Sequence, residues 1–318
     1  MSKWKVGALF CLTLTLASAP AFQAGADTGE SFASASRMSG PEAGGDKDAG
    51  RNLSDINGVT QPDASNNEDT VGVYRPETSQ FFLRNSNTSG FADISFTFGI
   101  PGDLPVVGDW DGDGDDTVGV FRDGVFFLRN SNSDGFADLV VPFGQEGDLP
   151  VVGDWDADGI DSIGVYRGDT FMLRKTNTPG EPQIIIVLGV SGDLPIAGDW
   201  NNDRLDTVGI YRPSDGLVVL KDGDSGGGFQ DVIFTYGGPG DKPLGGDWNA
   251  DGSNTIGVYR DDIFLLRNFN GNGFAEIVFQ FGLLGDMPLS GDWDGLPAPP
   301  LAIAALRDGP TRQVDPAD

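Results

Sequence analysis

One stretch of the chain reads Pro101-Gly-Asp-Leu-Pro-Val-Val-Gly-Asp-Trp-Asp-Gly-Asp-Gly-Asp-Asp-Thr-Val-Gly-Val-Phe-Arg122. It predicts a β-strand, an acidic loop and a second β-strand. Its central Gly-Asp-Trp recurs with spacings of 45, 45, 48 and 45 residues, and the five copies begin at Gly108, Gly153, Gly198, Gly246 and Gly291. Self-similarity at a fixed period of this length indicates a repeat architecture.

Each repeat contains four short β segments. In the first full copy they cover residues 70–75, 81–84, 92–98 and 104–110, and residues 92–98 alternate apolar and polar side chains. No stretch has a helical period, so we expect almost no helix. Four antiparallel strands in about 45 residues match one propeller blade. The sequence therefore predicts an all-β fold, a five-bladed β-propeller; an open array and a β-sandwich are the alternatives.

The place where the ring closes is indicated by its two weakest acidic loops. The first, residues 63–69, is degenerate, and the last, residues 292–298, has few acids. We therefore expect the ring to be closed by strands from both termini, which removes exposed sheet edges. Residues 300–307 look like an eroded sixth copy of the segment at 70–75. The propeller is accordingly predicted to span 69–307, followed by a flexible tail at 308–318.

The N-terminal part of the chain has the composition of an export signal. Lys3 and Lys5 precede an apolar run, and small residues follow it, so residues 1–26 are predicted to be a signal peptide. Residues 27–68 are rich in small and polar residues and are expected to form a disordered linker. Together with the lack of another long apolar stretch, this predicts a secreted protein, extracellular, periplasmic or at the cell surface, with no membrane span.

Composition excludes several kinds of chemistry. The chain has no histidine, and its one cysteine, Cys11, lies within the predicted signal peptide. Catalytic triads with histidine, cysteine nucleophiles paired with histidine, and zinc sites built on either residue are therefore excluded from the mature protein. The formal net charge of −28 opposes binding to nucleic acids. The chemistry that remains is that of carboxylate and backbone oxygens. We expect the protein to be a monomer.

The acidic loops share the pattern Asp-x-Asp/Asn-x-Asp-Gly, which brings oxygens from alternate positions of a tight turn toward one point. Ca²⁺ takes six to eight oxygen ligands and suits such a loop better than Mg²⁺ does. Four copies in register predict calcium sites more strongly than one Asp-Gly turn would. Arg204 replaces the glycine in the third copy. The candidate ligands at positions one, three and five are Asp109, Asp111 and Asp113; Asp154, Asp156 and Asp158; Asp199, Asn201 and Asp203; Asp247, Asn249 and Asp251.

At this point residues 70–307 resemble the FG-GAP/VCBS repeat family, the integrin-α-like β-propellers. The resemblance rests on Phe-Gly followed by Gly-x-x-Pro and an acidic loop, as in Phe98-Gly99 with Gly102-x-x-Pro105. It implies that each loop joins two strands of one blade. It also implies a backbone carbonyl ligand near position seven, here Asp115, Ile160, Leu205 or Ser253. The family usually has its last acid at position nine, whereas this chain has Asp116, Asp161 and Asp206 at position eight.

Members of that family include adhesion modules, lectins and domains attached to enzymes, so we predict a binding or adhesion role with a protein or carbohydrate ligand. The alternatives are a glycoside hydrolase or lyase using paired carboxylates, and a passive structural protein of the cell surface. No residue is assigned a catalytic role, because such a residue should break the repeat. The repeated tryptophans are expected to pack between blades rather than stack on sugars. The repeated arginines are expected to pair with aspartates or stack on aromatic side chains rather than bind an acidic ligand.

Overall fold

The computed structural model describes residues 68–221 and 231–293, and these contain twenty β-strands and no helix. In chain order the strands are β1 (Thr70–Arg75), β2 (Gln80–Leu83), β3 (Ile94–Thr97), β4 (Leu104–Gly108), β5 (Thr117–Arg122), β6 (Val125–Leu128), β7 (Leu139–Pro142), β8 (Leu149–Gly153), β9 (Ser162–Arg167), β10 (Thr170–Leu173), β11 (Ile184–Val187), β12 (Leu194–Gly198), β13 (Thr207–Arg212), β14 (Leu217–Leu220), β15 (Val232–Thr235), β16 (Lys242–Gly246), β17 (Thr255–Arg260), β18 (Ile263–Leu266), β19 (Ile277–Gln280) and β20 (Met287–Gly291). In this part of the chain no helix is long and apolar enough to cross a membrane.

The strands form five antiparallel sheets of four strands, which are the blades of a propeller. From the axis outward, blade 1 is β20-β1-β2-β3, blade 2 is β4 to β7, blade 3 is β8 to β11, blade 4 is β12 to β15 and blade 5 is β16 to β19. The innermost strands contact one another in the cyclic order β20, β4, β8, β12, β16 and back to β20. The predicted five-bladed ring is confirmed.

Both ends of the described chain contribute to blade 1. β1 pairs with β20 in an antiparallel register that runs from Thr70 opposite Gly291 to Tyr74 opposite Met287. The expected closure by strands from both termini is therefore confirmed, and β1 holds the position beside β20. Residues 300–307, proposed as an eroded extra copy, lie outside the described residues, as do the predicted signal peptide, the tail and all of the predicted linker except residue 68.

The core lies between adjacent blades. One cluster combines Tyr74, Phe81 and Trp293 of blade 1 with Val118 and Val120 of blade 2. The glycine of each Val-Gly-Val segment allows the neighbouring strand to approach. A Cβ on Gly72 would lie 2.7 Å from the Leu83 side chain and 3.3 Å from the Phe82 carbonyl oxygen, so a larger residue would displace Leu83. The recurring glycine thus allows close packing between the second and third strands.

The two faces of the ring carry different connections. Acidic loops join the first and second strands of a blade, and turns join its third and fourth strands. Because the strands are antiparallel, both connections lie on one face, which we call the loop face. On the opposite face, the arginine that ends each second strand forms a bidentate ion pair with a buried aspartate, for example Arg122 with Asp103 at 2.6 and 2.7 Å. The expected pairing of these arginines is confirmed.

The outer strand of a blade is protected by the turn of the next blade. The N–H of Thr97 in blade 1 donates to Asp134 of blade 2 at 2.7 Å. The N–H of Thr235 donates to Asn272 at 2.9 Å. At the position equivalent to Thr97, blade 2 has Pro142, which has no N–H to satisfy. These contacts reduce the capacity of the outer edges to pair with other strands.

Candidate metal centre

Four acidic loops are described in full, at residues 109–116, 154–161, 199–206 and 247–254. Each connects the innermost strand of a blade to its second strand, as the family resemblance implied. The aspartate at position one organises the loop. One oxygen of Asp109 accepts hydrogen bonds from the backbone N–H groups of Asp111, Gly112 and Asp113 at 2.7 to 3.3 Å, and the other accepts from Gly114 at 2.9 Å.

The second loop repeats this arrangement around Asp154. Its carboxylate accepts from the N–H groups of Asp156 and Asp158 at 3.3 and 3.1 Å and from Gly159 at 2.8 Å. At position seven, the N–H of Ile160 donates to Asp158 at 3.0 Å, as that of Asp115 does to Asp113. The first carboxylate therefore shapes the loop, while the carboxylates at positions three and five extend into solvent.

In these two loops the three carboxylates are close enough to share one ion. Asp109, Asp111 and Asp113 each offer an oxygen within 4.8 Å of the other two, and so do Asp154, Asp156 and Asp158. Two oxygens that each lie about 2.4 Å from a common Ca²⁺ are at most about 4.8 Å apart. Both groups thus satisfy the distance requirement, and their all-oxygen donors suit a hard cation. The two clusters could bind a metal ion.

The charges in these clusters act on one another. Partial burial and the neighbouring charge of Asp113 raise the pKa of Asp111. Partial burial and Asp158 likewise raise the pKa of Asp156, although the positive charge of Lys175 opposes the shift. In the first loop the residue equivalent to Lys175 is Asn130, whose amide donates to Asp111 at 2.6 Å. The two loops consequently differ in local charge, and the first is the more negative.

The loop conformation requires left-handed backbone at positions four and six. Gly112 and Gly114 have φ of 77° and 94° in the first loop. In the third loop Arg204 occupies position six with φ of 69°, and its N–H still donates to Asp199 at 2.7 Å. The loop shape therefore survives the replacement of glycine, and the arginine adopts a conformation that is strained for a side chain of its kind.

The third and fourth loops differ from the first two at position three. There the amide of Asn201 donates to Asp203 at 3.1 Å, and the amide of Asn249 donates to Asp251 at 3.0 Å. In these two loops position three therefore carries a neutral amide that donates to the carboxylate at position five, whereas in the first two loops position three carries an aspartate. Position seven has the same role as before, because the N–H groups of Leu205 and Ser253 donate to Asp203 and Asp251.

The acids at position eight do not join the clusters of their own loops. The carboxylate of Asp161 in blade 3 accepts from the N–H of Asp109 in blade 2 at 2.9 Å, and the Asp161 N–H donates to the Asp109 carbonyl at 2.8 Å. Every blade boundary has this pair of hydrogen bonds. We call the five position-eight residues the interblade ring: Asp69, Asp116, Asp161, Asp206 and Asn254.

The interblade ring lines a central channel of about 260 Å³, together with the innermost strands. Burial, modified by the nearby charges, raises the pKa of Asp116 and of Asp206 to about 7. Burial and the carboxylates of Asp206 and Asp116 also raise the pKa of Asp161. The sequence proposed Asp116, Asp161 and Asp206 as metal ligands, whereas Asp69 and Asn254 were overlooked. All five residues lie just before a strand that begins Thr/Ser-x-Gly, and this shared position could have identified them as one set.

The repeated tryptophans are part of the core. Trp110, Trp155, Trp248 and Trp293 are at most 5% exposed, and Trp200 is half-buried against the cluster of blade 4. The Trp155 indole N–H donates to the Ser162 carbonyl at 3.0 Å. The four buried tryptophans cannot stack on a sugar, and Trp200 also packs against the core, so the expectation that the tryptophans pack in the core is confirmed.

Comparison of the chain with models of protein families, with curated proteins and with solved structures finds no match. The five-bladed fold and the two carboxylate clusters therefore rest on the geometry of this chain alone.

Proposed function

We propose that the protein is a secreted, monomeric β-propeller that is stabilised by Ca²⁺ and acts as a binding or adhesion module for an extracellular protein or carbohydrate. The single observation that carries the metal part of this proposal is the convergence of three carboxylates in each of two loops, within 4.8 Å of one another. The resemblance of the repeats to the FG-GAP/VCBS family supports Ca²⁺ as the ion and binding as the role.

The physical case for Ca²⁺ begins with repulsion. Like charges a few ångströms apart destabilise each other; burial and, after it, the charges of Asp113 and Asp158 raise the pKa values of Asp111 and Asp156. A divalent cation removes the cost and supplies attraction in its place. Asp109, Asp111 and Asp113 would hold the ion in the first loop, and Asp154, Asp156 and Asp158 in the second. The carbonyl groups at Asp115 and Ile160 remain the ligands that the resemblance implies.

The ion would also support the blade interface. Asp109, a proposed ligand, is joined through its backbone to Asp161 of the next blade. Fixing the first loop therefore also fixes an attachment point between blades 2 and 3. A cation that binds only the folded protein shifts the unfolding equilibrium by about 2.7 kcal/mol per site when its concentration is 100 times Kd. On this proposal, Ca²⁺ maintains a rigid loop face that is able to bind a partner.

The test is thermal unfolding of the purified protein in EDTA, in CaCl₂, in MgCl₂ and in NaCl of matched ionic strength. We expect a rise of the midpoint by several degrees that is specific to Ca²⁺. The double variant Asp111→Ala, Asp156→Ala removes both oxygen ligands and should lose most of that rise. Glu77→Gln with Glu146→Gln changes the net charge equally at exposed sites of the opposite face and should keep it. An equal rise in NaCl would show screening of an acidic surface and refute the calcium site.

A glycosidase would need one carboxylate pair used once in the fold. The acids with the strongest pKa shifts, Asp116 and Asp206 among them, instead belong to the interblade ring and accept backbone N–H groups. For this reason we favour binding over hydrolysis. A screen for glycan and peptide ligands in Ca²⁺ distinguishes a binding module from a passive surface protein. A passive surface protein would bind neither.

A further inference from the structure

Three phenylalanine side chains extend almost completely into solvent. Phe91, Phe136 and Phe274 are 94%, 92% and 93% exposed. Each lies at the same position of the turn between the third and fourth strands of a blade, on the loop face. Single exposed apolar residues are common and need no explanation. Phenylalanine at the same position of three repeats, with almost no burial in any of them, contributes nothing to the core. We therefore consider a role in binding.

In blades 1 and 2 an arginine just after the third strand holds the turn that carries the phenylalanine. In blade 2 the Arg129 guanidinium donates to the carbonyl of Phe136 at 2.7 Å and to the carbonyls of Ser133 and Asp134 at 2.8 Å. Arg84 donates in the same way to the carbonyl of Phe91. The arginine therefore fixes the backbone beneath the phenylalanine while the ring remains free. A partner that binds these rings loses little entropy in ordering the backbone.

The three turns lie on consecutive blades, namely 5, 1 and 2. They are linked to their neighbours, because Gln280 of blade 5 donates through its N–H to Ser89 of blade 1, and Thr97 of blade 1 donates to Asp134 of blade 2. Blade 3 has Glu181 at the equivalent position, which is exposed and charged. We call the three phenylalanines and their turns the Phe arc.

The charge around the Phe arc is negative on balance, because four acids accompany three arginines. The acids that accompany the three rings are exposed, and they are Asp93, Asp134, Asp138 and Glu276. Arg84 forms an ion pair with Asp93 at 3.9 Å, and Arg267 forms one with Glu276 at 3.5 Å. Arg129 uses its guanidinium within its own turn, so Asp134 and Asp138 keep most of their negative charge. The exposed acids of the adjacent metal loops add further negative charge. The arc thus presents apolar rings on an acidic background.

We propose that the Phe arc binds a basic, amphipathic segment of a partner protein. The apolar side of such a segment would cover the phenylalanine rings, and its Lys and Arg residues would face the surrounding carboxylates. Aromatic side chains dominate the energetics of protein interfaces, and complementary charge speeds association. This inference rests on the binding-module part of the proposed function, and its readout is separate from the Ca²⁺-specific midpoint that tests the metal sites.

The test uses the full chain in Ca²⁺ and three synthetic peptides of equal length. One has leucine and lysine arranged as an amphipathic helix, one has the same lysines with serine in place of leucine, and one has leucine with glutamate. We expect the Leu/Lys peptide to bind and the other two to bind at least about tenfold more weakly. Binding should weaken with added NaCl, because charge contributes to it. Vesicles of phosphatidylcholine, with and without phosphatidylserine, are tested in parallel.

The decisive variant is Phe91→Ala, Phe136→Ala, Phe274→Ala. Because these side chains are more than 90% exposed, the melting temperature should not change. The Kd for the Leu/Lys peptide should rise at least about tenfold. The matched control is Ile100→Ala, Val190→Ala, Leu284→Ala, which truncates exposed apolar residues of the opposite face and should bind as the parent does.

Three outcomes would overturn the inference: no binding of the Leu/Lys peptide, equal binding by the triple phenylalanine variant, or phenylalanine-dependent binding to vesicles without binding to the peptide. None of them changes the Ca²⁺-specific midpoint that tests the metal sites. Failure of the Phe arc and failure of the calcium proposal are therefore distinguishable.

Discussion

The carboxylate of Asp161 accepts a hydrogen bond from the backbone N–H of Asp109 at 2.9 Å, across the boundary between blades 3 and 2. In return, the Asp161 N–H donates to the Asp109 carbonyl at 2.8 Å. The same two-point attachment recurs at each boundary of the ring. Because Asp109 also organises a carboxylate cluster, the candidate metal loops and the interblade ring form one connected system.

Two substitutions of Asp161 distinguish the contribution of its hydrogen bond to stability from the contribution of its charge. Asp161→Asn keeps an acceptor for the Asp109 N–H, as Asn254 does natively for Asp199 at 2.8 Å. It also removes a buried charge, so we expect its stability to lie within about 1 kcal/mol of the parent or above it. Asp161→Ala leaves the N–H without its partner and should cost about 1–3 kcal/mol. Urea unfolding in EDTA measures both variants, and equal stability of the two would contradict the assigned hydrogen bond.

The interblade ring predicts an unusual dependence of stability on pH. The folded-state pKa of Asp116 and of Asp206 is raised to about 7, above the unfolded value of about 3.9. Between these values the folded state binds more protons, so stability should increase as the pH falls from about 8 toward 4, by up to about 1.4 kcal/mol per pH unit for each proton bound. Urea unfolding in EDTA across this range measures the slope.

The control for the pH effect is Asp116→Asn, Asp206→Asn, which keeps both acceptors and removes both titrating groups. Its stability should vary less with pH than that of the parent. A slope that is unchanged in this variant would assign the effect to the general surface charge instead.

The ion pair of Arg212 with Asp193 on the opposite face predicts the reverse pH dependence. Burial alone would raise the pKa of Asp193, but the hydrogen bonds from Arg212 and Val190 and the charge of Arg212 outweigh it and lower the pKa. The pair therefore contributes stability above the unfolded pKa of about 3.9 and loses it as the pH falls through the lower folded value. Arg212→Met should cost about 2–3 kcal/mol at neutral pH.

That cost should remain constant from pH 8 to about 5 and shrink below pH 4, where Asp193 becomes protonated. Chemical unfolding of Arg212→Met and the parent at matched pH measures the difference. A cost that persists unchanged at pH 3 would mean that Arg212 stabilises the blade by packing alone.

In the third acidic loop the backbone of Arg204 is strained, and glycine at this position should relieve the strain. Arg204 has φ of 69° where the other three loops have glycine. Arg204→Gly should stabilise the protein by about 0.5–1 kcal/mol in EDTA, because the gain in backbone conformation exceeds the entropy cost of glycine. It also removes a positive charge from the loop, so Ca²⁺ should stabilise this variant more than it stabilises the parent. Gly159→Arg in the second loop is the mirror change and should lower both quantities.

The sequence by itself determined the repeat, the strands within it, the five blades and the closure by both ends. These follow from local patterns, since alternation, turn residues and a fixed period act within about 45 residues. The two carboxylate clusters that could bind a metal ion could also be predicted from the sequence, because residues such as Asp109, Asp111 and Asp113 are neighbours in the chain and converge within 4.8 Å through one turn.

Only the tertiary structure decided the partners of residues that meet across blades. Asp161 and Asp109 are 52 positions apart, and a repeat pattern specifies the register within a blade but not which atoms face each other between blades. The acid at position eight therefore looked like a loop ligand, although its carboxylate belongs to the interblade ring. The Phe arc was hidden for the same reason: whether Phe91 joins the core or the surface depends on how Arg84 folds its turn against the blade, and that is a property of packing.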